Sequence, residues 1–416
     1  MKNEFVLLIG LSLLLACEKQ EDIEIDRDSS NKVELNNTRS YDDAMKIAES
    51  SLSMLVNSQS STRTISENRR IDWSACKVIT SNNKNCPNSE DTLVYVFNFE
   101  NNDGFALVSA NKNTEPLLAI TEKGHFDPDT PSGIPGFDAF ITMAKKYVID
   151  SKESQRSLDL FTRDSVVTTH FSHGPLVNVM WGQTHPEGEY CPNGICGCGP
   201  TAMAQVMTYY QYPSSLALTF PNADASSQTF SWSNMISHPT GHNLNNCTYN
   251  TNIHKSIGRL CRELGYRANS TYNSNSTSTN SGKVKVVMQN LGYTTSGWTS
   301  NSNQNMKTQL MLNRLYILLG YCTLCNVGHF WIIDGFDYTH TTTYRFQRAA
   351  IDQEWILVGV FEDETNLYHI NWGWYGTNNG YFSNNVFNTQ NYTIPDTNSN
   401  YINHDFSNLY YLTVYH

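Results

Sequence analysis

The hydrophobic positions of this chain recur with helical spacing in some stretches and alternate with polar positions in others. Between residues 41 and 150 these patterns predict, in order, a helix at Tyr41–Val56, strands at Thr92–Glu100, Phe105–Ser109 and Pro116–Thr121, and a helix at Phe137–Val148. The turn residues Asn101–Gly104 make the first two strands a hairpin. We therefore expect a folded unit over residues 41–150, followed by a polar linker and processing region at residues 151–164.

The second part of the chain, residues 165–416, begins with helical patterns and ends with β patterns. Helices are predicted after Cys198 and at Ile257–Gly265, Val284–Leu291 and Met306–Leu319, and strands at Phe330–Phe336, Trp355–Phe361, Leu367–Trp372, Gly380–Phe382 and Leu409–Tyr415. The Asn/Ser/Thr-rich segment Ala268–Gly282 is typical of a mobile loop. Helices followed by antiparallel strands indicate an α+β fold.

The first residues have the pattern of an export signal. The apolar run Phe5–Ala16 has the length of a signal-peptide core and is too short to span a bilayer. Its end, Leu14-Leu15-Ala16-Cys17, resembles a bacterial lipobox. This predicts a signal peptide at residues 1–16, lipidation of Cys17 and a solvated tether at residues 17–40. An ordinary secretory signal with a chance cysteine is the alternative. The expected location is the outer membrane or the cell surface, with possible release of the mature catalytic domain.

Composition narrows the class of protein. The 416 residues carry a net charge of −11 and are 39% hydrophobic, which fits a globular protein of two or three domains. No stretch rich in Lys and Arg is present to neutralise nucleic-acid phosphates or to bind an acidic membrane surface. Nucleic acid is therefore not an expected partner, and membrane contact is expected only through a lipid on Cys17.

The stretch Cys191–Pro213 contains the first candidate for chemistry. Pro200 suits the first turn of a helix and Pro213 ends it, so Cys198 is predicted at the helix N-terminus. Free N–H groups and the helix dipole favour an anion there, which would lower the pKa of the thiol and make it a nucleophile. A structural cysteine in a tight Gly-Pro turn is the alternative from this stretch alone, and Cys196 is a rival nucleophile.

Four residues elsewhere could serve such a thiol. His329 opens an apolar strand about 130 residues downstream, a separation typical of papain-type pairs, and could accept the thiol proton. Asn371 could orient the imidazole, and the indole of Trp372 could shield that hydrogen bond. Gln183 could donate to an oxyanion. Taken singly, His329 could instead be a strand-end structural residue and Asn371 a turn residue in an aromatic corner.

Taken in order, the segments GQ, GCGPTAMAQVMTYYQYP, GHFWIIDGFD and HINWGWYGTNNGYF resemble the streptopain family of papain-fold cysteine peptidases. The earlier segment LVYVFNFENNDGFALVSANKNTEPLLAITEKG resembles the propeptide of that family. The resemblance covers residues 41–416. It implies a papain-like α+β fold, with the cysteine on a helical part and the histidine on an antiparallel sheet. It also implies that a propeptide domain blocks the site until proteolysis removes it.

The resemblance further implies that Cys198 is the nucleophile, His329 the base, Gln183 the oxyanion donor, and Asn371 and Trp372 the supports of the imidazole. The implied activity is that of a cysteine endopeptidase that acts on proteins or peptides, needs no cofactor and has its own propeptide as inhibitor. The family usually has Val-Ala where this chain has Gly199-Pro200, although the Gly-Cys…Thr-Ala register favours Cys198 over its rival. Tyr338–Glu364 is expected to be an inserted hairpin, and the loop bordering the substrate cleft corresponds to Tyr272–Gly282.

The remaining cysteines and the reaction class leave alternatives open. Export permits disulfides, and Cys76–Cys86 could close a short loop. Paired cysteines at 191/196 and 322/325 could suggest zinc, but no second CxxC or paired histidine completes a four-ligand site, so no metal is expected. A Cys-His-Asn set would also suit a transglutaminase or amidase. A non-catalytic, surface-binding lipoprotein on a peptidase scaffold is the other alternative.

Overall fold

The computed structural model describes residues 23–25, 37–57, 69–81, 92–151, 161–237, 251–300, 305–322, 327–348, 354–387 and 408–416. By its internal contacts the chain divides into two compact units. The small unit contains residues 1–32, 158–170 and 339–364, and the large unit contains residues 33–157, 171–338 and 365–416. The predicted signal peptide, Cys17 and residues 152–160 of the predicted linker lie outside the described residues. In the part of the chain that is described, no helix has the length and apolar character needed to cross a bilayer.

The elements confirm the predicted α+β class. The helices are α1 (Tyr41–Asn57), α2 (Pro135–Asp150), α3 (Cys198–Tyr210), α4 (Trp232–Ile236), α5 (Thr251–Arg267), α6 (Ser281–Asn290), α7 (Met306–Met311) and α8 (Asn384–Phe387). The strands are β1 (Ile23–Ile25), β2 (Lys77–Thr80), β3 (Thr92–Asn98), β4 (Phe105–Ser109), β5 (Leu117–Thr121), β6 (Phe161–His173), β7 (Ser215–Ala217), β8 (Ser227–Thr229), β9 (Thr271–Tyr272), β10 (Thr277–Ser278), β11 (Thr294–Thr295), β12 (Leu315–Cys322), β13 (Val327–Arg348), β14 (Ile356–Asn371), β15 (Gly380–Ser383) and β16 (Asn408–Tyr415).

The small unit is built from long strands. Within it, β1 pairs antiparallel with the first half of β6, and Ile23 lies opposite Val166. Residues 17–40 were expected to lack regular structure, and the short strand at Ile23–Ile25 departs from that expectation because Ile-Glu-Ile alternates as a strand does. The inserted hairpin predicted at Tyr338–Glu364 corresponds to the adjoining ends of β13 and β14, which are neighbours in the sheet.

One continuous sheet runs through the large unit. Its strands follow the order β11-β16-β12-β13-β14-β15-β5-β4-β3-β2. Strand β15 pairs antiparallel with β5, so that Tyr381 lies opposite Ile120 and Phe382 lies opposite Ala119. The strands predicted for residues 41–150 therefore extend the sheet of the later part of the chain.

Helices cover this sheet and form its hydrophobic cores. Helix α1 packs on β3, β4 and β5 through its buried residues Ala44, Ala48 and Leu55. The side chains of α2 share a core with β14 and β15, where the ring centroids of Phe140 and Phe382 are 4.9 Å apart. A separate core joins helices α3, α5 and α6 to strands β12, β13 and β16 through Val206, Leu260, Val287, Ile317, Ile332 and Leu412.

The helix predicted over Met306–Leu319 is wrong in its second half. Only Met306–Met311 is helical, and the apolar run from Leu315 onwards forms strand β12. This strand lies between β13 and β16. Both of its faces are covered, because Leu315 and Ile317 enter one core and Tyr316 and Leu318 enter another. A short, continuous apolar run suits such a buried strand as well as it suits a helix, and the spacing of its residues does not distinguish the two. The two strands predicted at Trp355–Phe361 and Leu367–Trp372 are likewise one strand, β14.

The segment Ala268–Gly282, predicted to be a loop, contains an antiparallel hairpin of β9 and β10. Asn193 holds it from outside, because its Nδ2 donates to the carbonyl oxygens of Asn273 and Ser276 at 2.6 and 3.1 Å. Thr277 Oγ1 donates to the carbonyl of Ile195 at 2.7 Å. Thr277, one of the polar residues that suggested a loop, thus helps to attach this hairpin beside the Cys198 segment.

Candidate active site

Cys198 is the first residue of α3, as predicted from Pro200 and Pro213. The preceding Gly197 has a φ of 90°, and a Cβ there would lie 3.0 Å from the side chain of Thr277. A Cβ on Gly199 would lie 2.9 Å from the side chain of Thr279. These close approaches give a physical reason for glycine on both sides of Cys198, including the position where a valine was expected by resemblance.

Burial dominates the electrostatics of the Cys198 thiol in this structure. Burial raises the pKa of the thiol to about 11, although the backbone N–H groups of Phe330 and Gly199 lower the pKa in part. The predicted lowering of this pKa is wrong here because the loss of solvent outweighs the attraction of the helix N-terminus for an anion.

Cys196, the rival nucleophile, is fully buried. Its Sγ lies 3.2 Å from Thr201 Oγ1 and 3.8 Å from the carbonyl oxygen of Gly182. The Cys198 side chain, in contrast, is half-buried. Geometry therefore favours Cys198 as the thiol that a substrate can reach.

His329 lies near the start of β13 and is 2% exposed. Its Nε2 lies 3.1 Å from the carbonyl oxygen of Trp372; since a carbonyl only accepts, Nε2 carries the hydrogen and donates it. The Trp331 and Trp374 rings flank the imidazole, with centroids 6.0 and 5.4 Å away. The N–H of Phe330, the next residue along the strand, points to the Cys198 thiol. The strand thus places His329 one residue from a group that contacts the candidate nucleophile.

Asn371 ends strand β14 and Trp372 follows it, and both residues are fully buried. The Asn371 amide donates to the carbonyl of Val179 at 2.9 Å and to Gln205 Oε1 at 2.7 Å. Its Oδ1 accepts from the N–H of Gly373 at 3.1 Å. An asparagine would orient this imidazole by accepting the Nε2 hydrogen through its Oδ1. Here Oδ1 accepts from Gly373, and the Nε2 hydrogen of His329 goes to the Trp372 carbonyl.

Gln183 lies on a backbone segment that is held on several sides. The Thr201 hydroxyl donates to the carbonyl of Gly182 at 2.9 Å, and the Cys196 N–H donates to the carbonyl of Gln183 at 2.8 Å. The Nε2 of Gln183 is buried and has no hydrogen-bond partner among the described residues. A buried donor without a partner is costly, so this amide is suited to a group that arrives with the substrate.

Glu187 is a buried residue that the sequence reasoning missed. Its Oε1 accepts from the N–H of Gly182 at 3.2 Å, next to Gln183. Burial raises the pKa of this carboxyl to about 8, although hydrogen bonds from Gly182 and Tyr375 partly oppose the shift. The carboxyl is therefore mostly protonated at neutral pH. A glutamate in a polar loop has no sequence pattern that would indicate a buried side chain.

The first turn of α2 covers the imidazole and the indole. A Cβ on Gly136 would lie 2.5 Å from the Trp372 ring and 3.2 Å from His329 Cδ2. The Phe137 ring centroid lies 6.4 Å from that of Trp372. The sequence predicted a helix here, and Pro135-Gly136 marks its start, but nothing in the local pattern revealed that this turn contacts the candidate site.

Potential metal ligands do not gather at this site or elsewhere in the described ranges, where no group of three or more His, Cys, Asp and Glu side chains could hold a metal ion. The paired cysteines considered for zinc are only partly described. Cys191 and Cys196 are buried free thiols, whereas residue 325 lies outside the described ranges. Residue 86, considered for a disulfide with Cys76, also lies outside them.

Two protein families match consecutive parts of the chain. The Spi protease inhibitor family matches residues 36–148, and the peptidase C10 family matches residues 179–382. The second match includes every candidate site residue, and the first includes α2 as far as Val148. The order of the matches agrees with the order of the two parts expected from the sequence.

Two known proteins resemble the chain over most of its length, and a third resembles part of it. Streptopain from Streptococcus pyogenes is 24% identical over 335 residues, covering 70% of this chain and 73% of that protein. The thiol protease/hemagglutinin PrtT from Porphyromonas gingivalis is 29% identical over 139 residues, covering 30% of this chain and 16% of that protein. The structure of a prointerpain A fragment from Prevotella intermedia matches with a TM-score of 0.51 at 17% identity, covering 83% of this chain and 98% of the fragment. That likeness supports the fold.

Proposed function

Because the chain belongs to the peptidase C10 family, the streptopain family of cysteine peptidases, we propose that it hydrolyses internal peptide bonds of proteins through Cys198 and His329. It is a cysteine peptidase zymogen whose propeptide domain is the Spi inhibitor match at residues 36–148. The observation that carries the residue assignment is the position of Cys198 as the half-buried first residue of α3, whereas the rival Cys196 is fully buried.

In the proposed reaction, His329 takes the proton of Cys198 and the thiolate sulfur attacks the carbonyl carbon of the scissile bond. Gln183 Nε2 and backbone N–H groups at the start of α3 donate to the oxyanion. The C–N bond then breaks, and protonated His329 gives its proton to the leaving amine. Water, deprotonated by His329, hydrolyses the remaining thioester and restores the thiol.

The arrangement described above suits an inhibited state. The pKa of the Cys198 thiol is raised, the Asn371 side chain is bonded elsewhere, and the first turn of α2 lies against His329 and Trp372. Removal of the propeptide domain, expected by cleavage between residues 151 and 165, would withdraw α2 and readmit solvent. The pKa of the thiol should then fall, because burial is the main cause of its rise.

Replacement of Gln183 by alanine tests the oxyanion role. In the processed enzyme, Gln183→Ala should lower kcat by about 10²- to 10³-fold with little change in KM, because its amide would act mainly in the transition state. Steady-state kinetics on a peptide substrate measure both constants. The matched control is Gln289→Ala, which removes an exposed glutamine at the end of α6. A raised KM with unchanged kcat would instead assign Gln183 to ground-state substrate binding.

We also propose that the chain is exported and lipidated at Cys17, on the strength of Leu14-Leu15-Ala16-Cys17. In a bacterial host, Cys17→Ser should abolish incorporation of labelled palmitate and move the protein out of the membrane fraction. Cys76→Ser is the control and should remain labelled. Equal labelling of the Cys17→Ser protein would show that the motif is not a lipidation site.

A further inference from the structure

A buried charged cluster lies across the seam between the propeptide domain and the catalytic part. His369 on β14 places Nδ1 2.5 Å from Asp334 Oδ1 on β13. On its other side, Nε2 of the same ring lies 3.5 Å from Oε1 of Glu122, which follows β5 in the propeptide domain. The proposed mechanism uses none of these three side chains.

All three groups are withdrawn from water. His369 and Asp334 are fully buried, and Glu122 is 6% exposed. Asp334 Oδ2 also accepts from the N–H of Val177 at 2.9 Å, which fixes the carboxylate. Two carboxylates on opposite nitrogens of one ring suit an imidazolium, because a neutral imidazole has only one N–H to donate.

Two further titratable groups lie near the ring among the described residues, Arg69 and Tyr381. Arg69 donates to the backbone carbonyl of Glu122 at 2.9 Å and interacts favourably with its charge. The Tyr381 ring packs edge-on against His369, with centroids 5.1 Å apart. Arg69 belongs to the propeptide domain and would accompany Glu122 if the seam opened, whereas Asp334 and Tyr381 would stay with His369.

We propose that His369 and Asp334 form a carboxylate-binding site on the catalytic part, that Glu122 of the propeptide domain fills it, and that this contact holds the zymogen closed more tightly while His369 is protonated. The proposal rests on the inhibitory role assigned above to residues 36–148. It specifies a carboxylate as the group that the catalytic part recognises, and it makes the closure of the zymogen depend on pH.

The direction of the pH dependence follows from the partners of His369. Burial alone would lower the pKa of His369, but attraction by Asp334 and Glu122, with hydrogen bonds to both, raises it above its ordinary value. Opening the seam removes Glu122, so the pKa of His369 is lower in the open state. The closed state is therefore favoured at a pH below the open-state pKa, and this advantage is lost as the pH rises through the closed-state pKa.

Hydrogen exchange in the full-length Cys198→Ala chain tests the proposal without requiring catalysis. Exchange is followed by mass spectrometry in peptides covering β5 and β15, from about pH 6 to about pH 9, and corrected for the intrinsic rate at each pH. Protection at the seam should fall by about tenfold for each pKa unit that separates the two states. Protection that does not change over this range would overturn the proposal.

Two conservative variants in the same Cys198→Ala background sharpen the test. Glu122→Gln should lower protection at about pH 6 and remove its dependence on pH. Glu115→Gln is the matched control, since Glu115 is also a buried carboxylate at this seam and accepts a hydrogen bond from Ser383 of β15. It should keep the fall in protection with pH. A fall that persists in Glu122→Gln, or is lost in both variants, would show that Glu122 and His369 are not the pair responsible. Absence of peptidase activity in the wild type would contradict the proposed function and leave this measurement intact.

Discussion

Replacement of Cys198 by alanine should abolish peptide hydrolysis, lowering kcat by a factor on the order of 10⁶, as expected when a covalent nucleophile is removed. The same change should leave the purified chain at full length, whereas the wild type should cut itself between residues 151 and 165. Electrophoresis of the purified proteins over time measures the processing, and a peptide substrate in reducing buffer measures the activity.

Cys196→Ala is the matched control because it removes a thiol two residues away. The Cys196 thiol is fully buried against Gly182 and Thr201, so its loss should reduce stability modestly and leave hydrolysis and self-processing in place. Loss of activity in Cys196→Ala with retention in Cys198→Ala would make Cys196 the nucleophile. Equal processing of wild type and Cys198→Ala would show that another protease makes the cut.

Replacement of Gly136 by alanine should weaken the inhibition of the zymogen while leaving the processed enzyme unchanged. The new Cβ would lie 2.5 Å from the Trp372 ring, far inside normal contact. Overpacking of this kind costs about 1–3 kcal/mol, which corresponds to a roughly 5- to 150-fold shift in the docking of α2. Mature peptidase should therefore appear faster, with the kcat and KM of the wild-type product.

The two effects of this substitution on α2 have opposite signs. Alanine favours the helix over glycine by about 1 kcal/mol, whereas the clash of its Cβ weakens the docking of the helix. Ile149→Ala is the control, since Ile149 is an exposed residue near the other end of α2. It should process at the wild-type rate. Slower processing of Gly136→Ala would mean that helix stability outweighs the clash, and an unchanged rate would remove α2 from the inhibitory contact.

The sequence predicted those features that depend on neighbouring residues. The start of α3 at Cys198 follows from the glycines and prolines around it, and the β3–β4 hairpin follows from alternation and a turn. The order of the site segments predicts that Cys198, His329, Gln183, Asn371 and Trp372 form one site, and this assignment stays a prediction. The resemblance of those segments to one family supplied the fold, and the family matches confirm it.

Properties set by distant parts of the chain could not be predicted in this way. The sign of the Cys198 pKa shift depends on burial, and the helix start alone suggested the opposite sign. The Glu122–His369 pair joins residues far apart in sequence, and neither residue lies in a pattern that names its partner. The continuation of the sheet from β15 to β5 could not be predicted from the sequence either. A strand pattern indicates which face is buried, but it does not indicate which strand lies alongside.

The pairing of β15 with β5 has a consequence for the processed enzyme. When the propeptide domain leaves, the backbone groups of Gly380–Phe382 that paired with β5 lose their partners, and β15 becomes an edge strand. Unprotected edges are templates for the addition of a further strand. Activation would therefore expose an unpaired edge strand at the same time as it opens the active site. If the cleaved propeptide stayed bound without a covalent link, β5 would still pair with β15 and would keep the processed enzyme from aggregating through that edge.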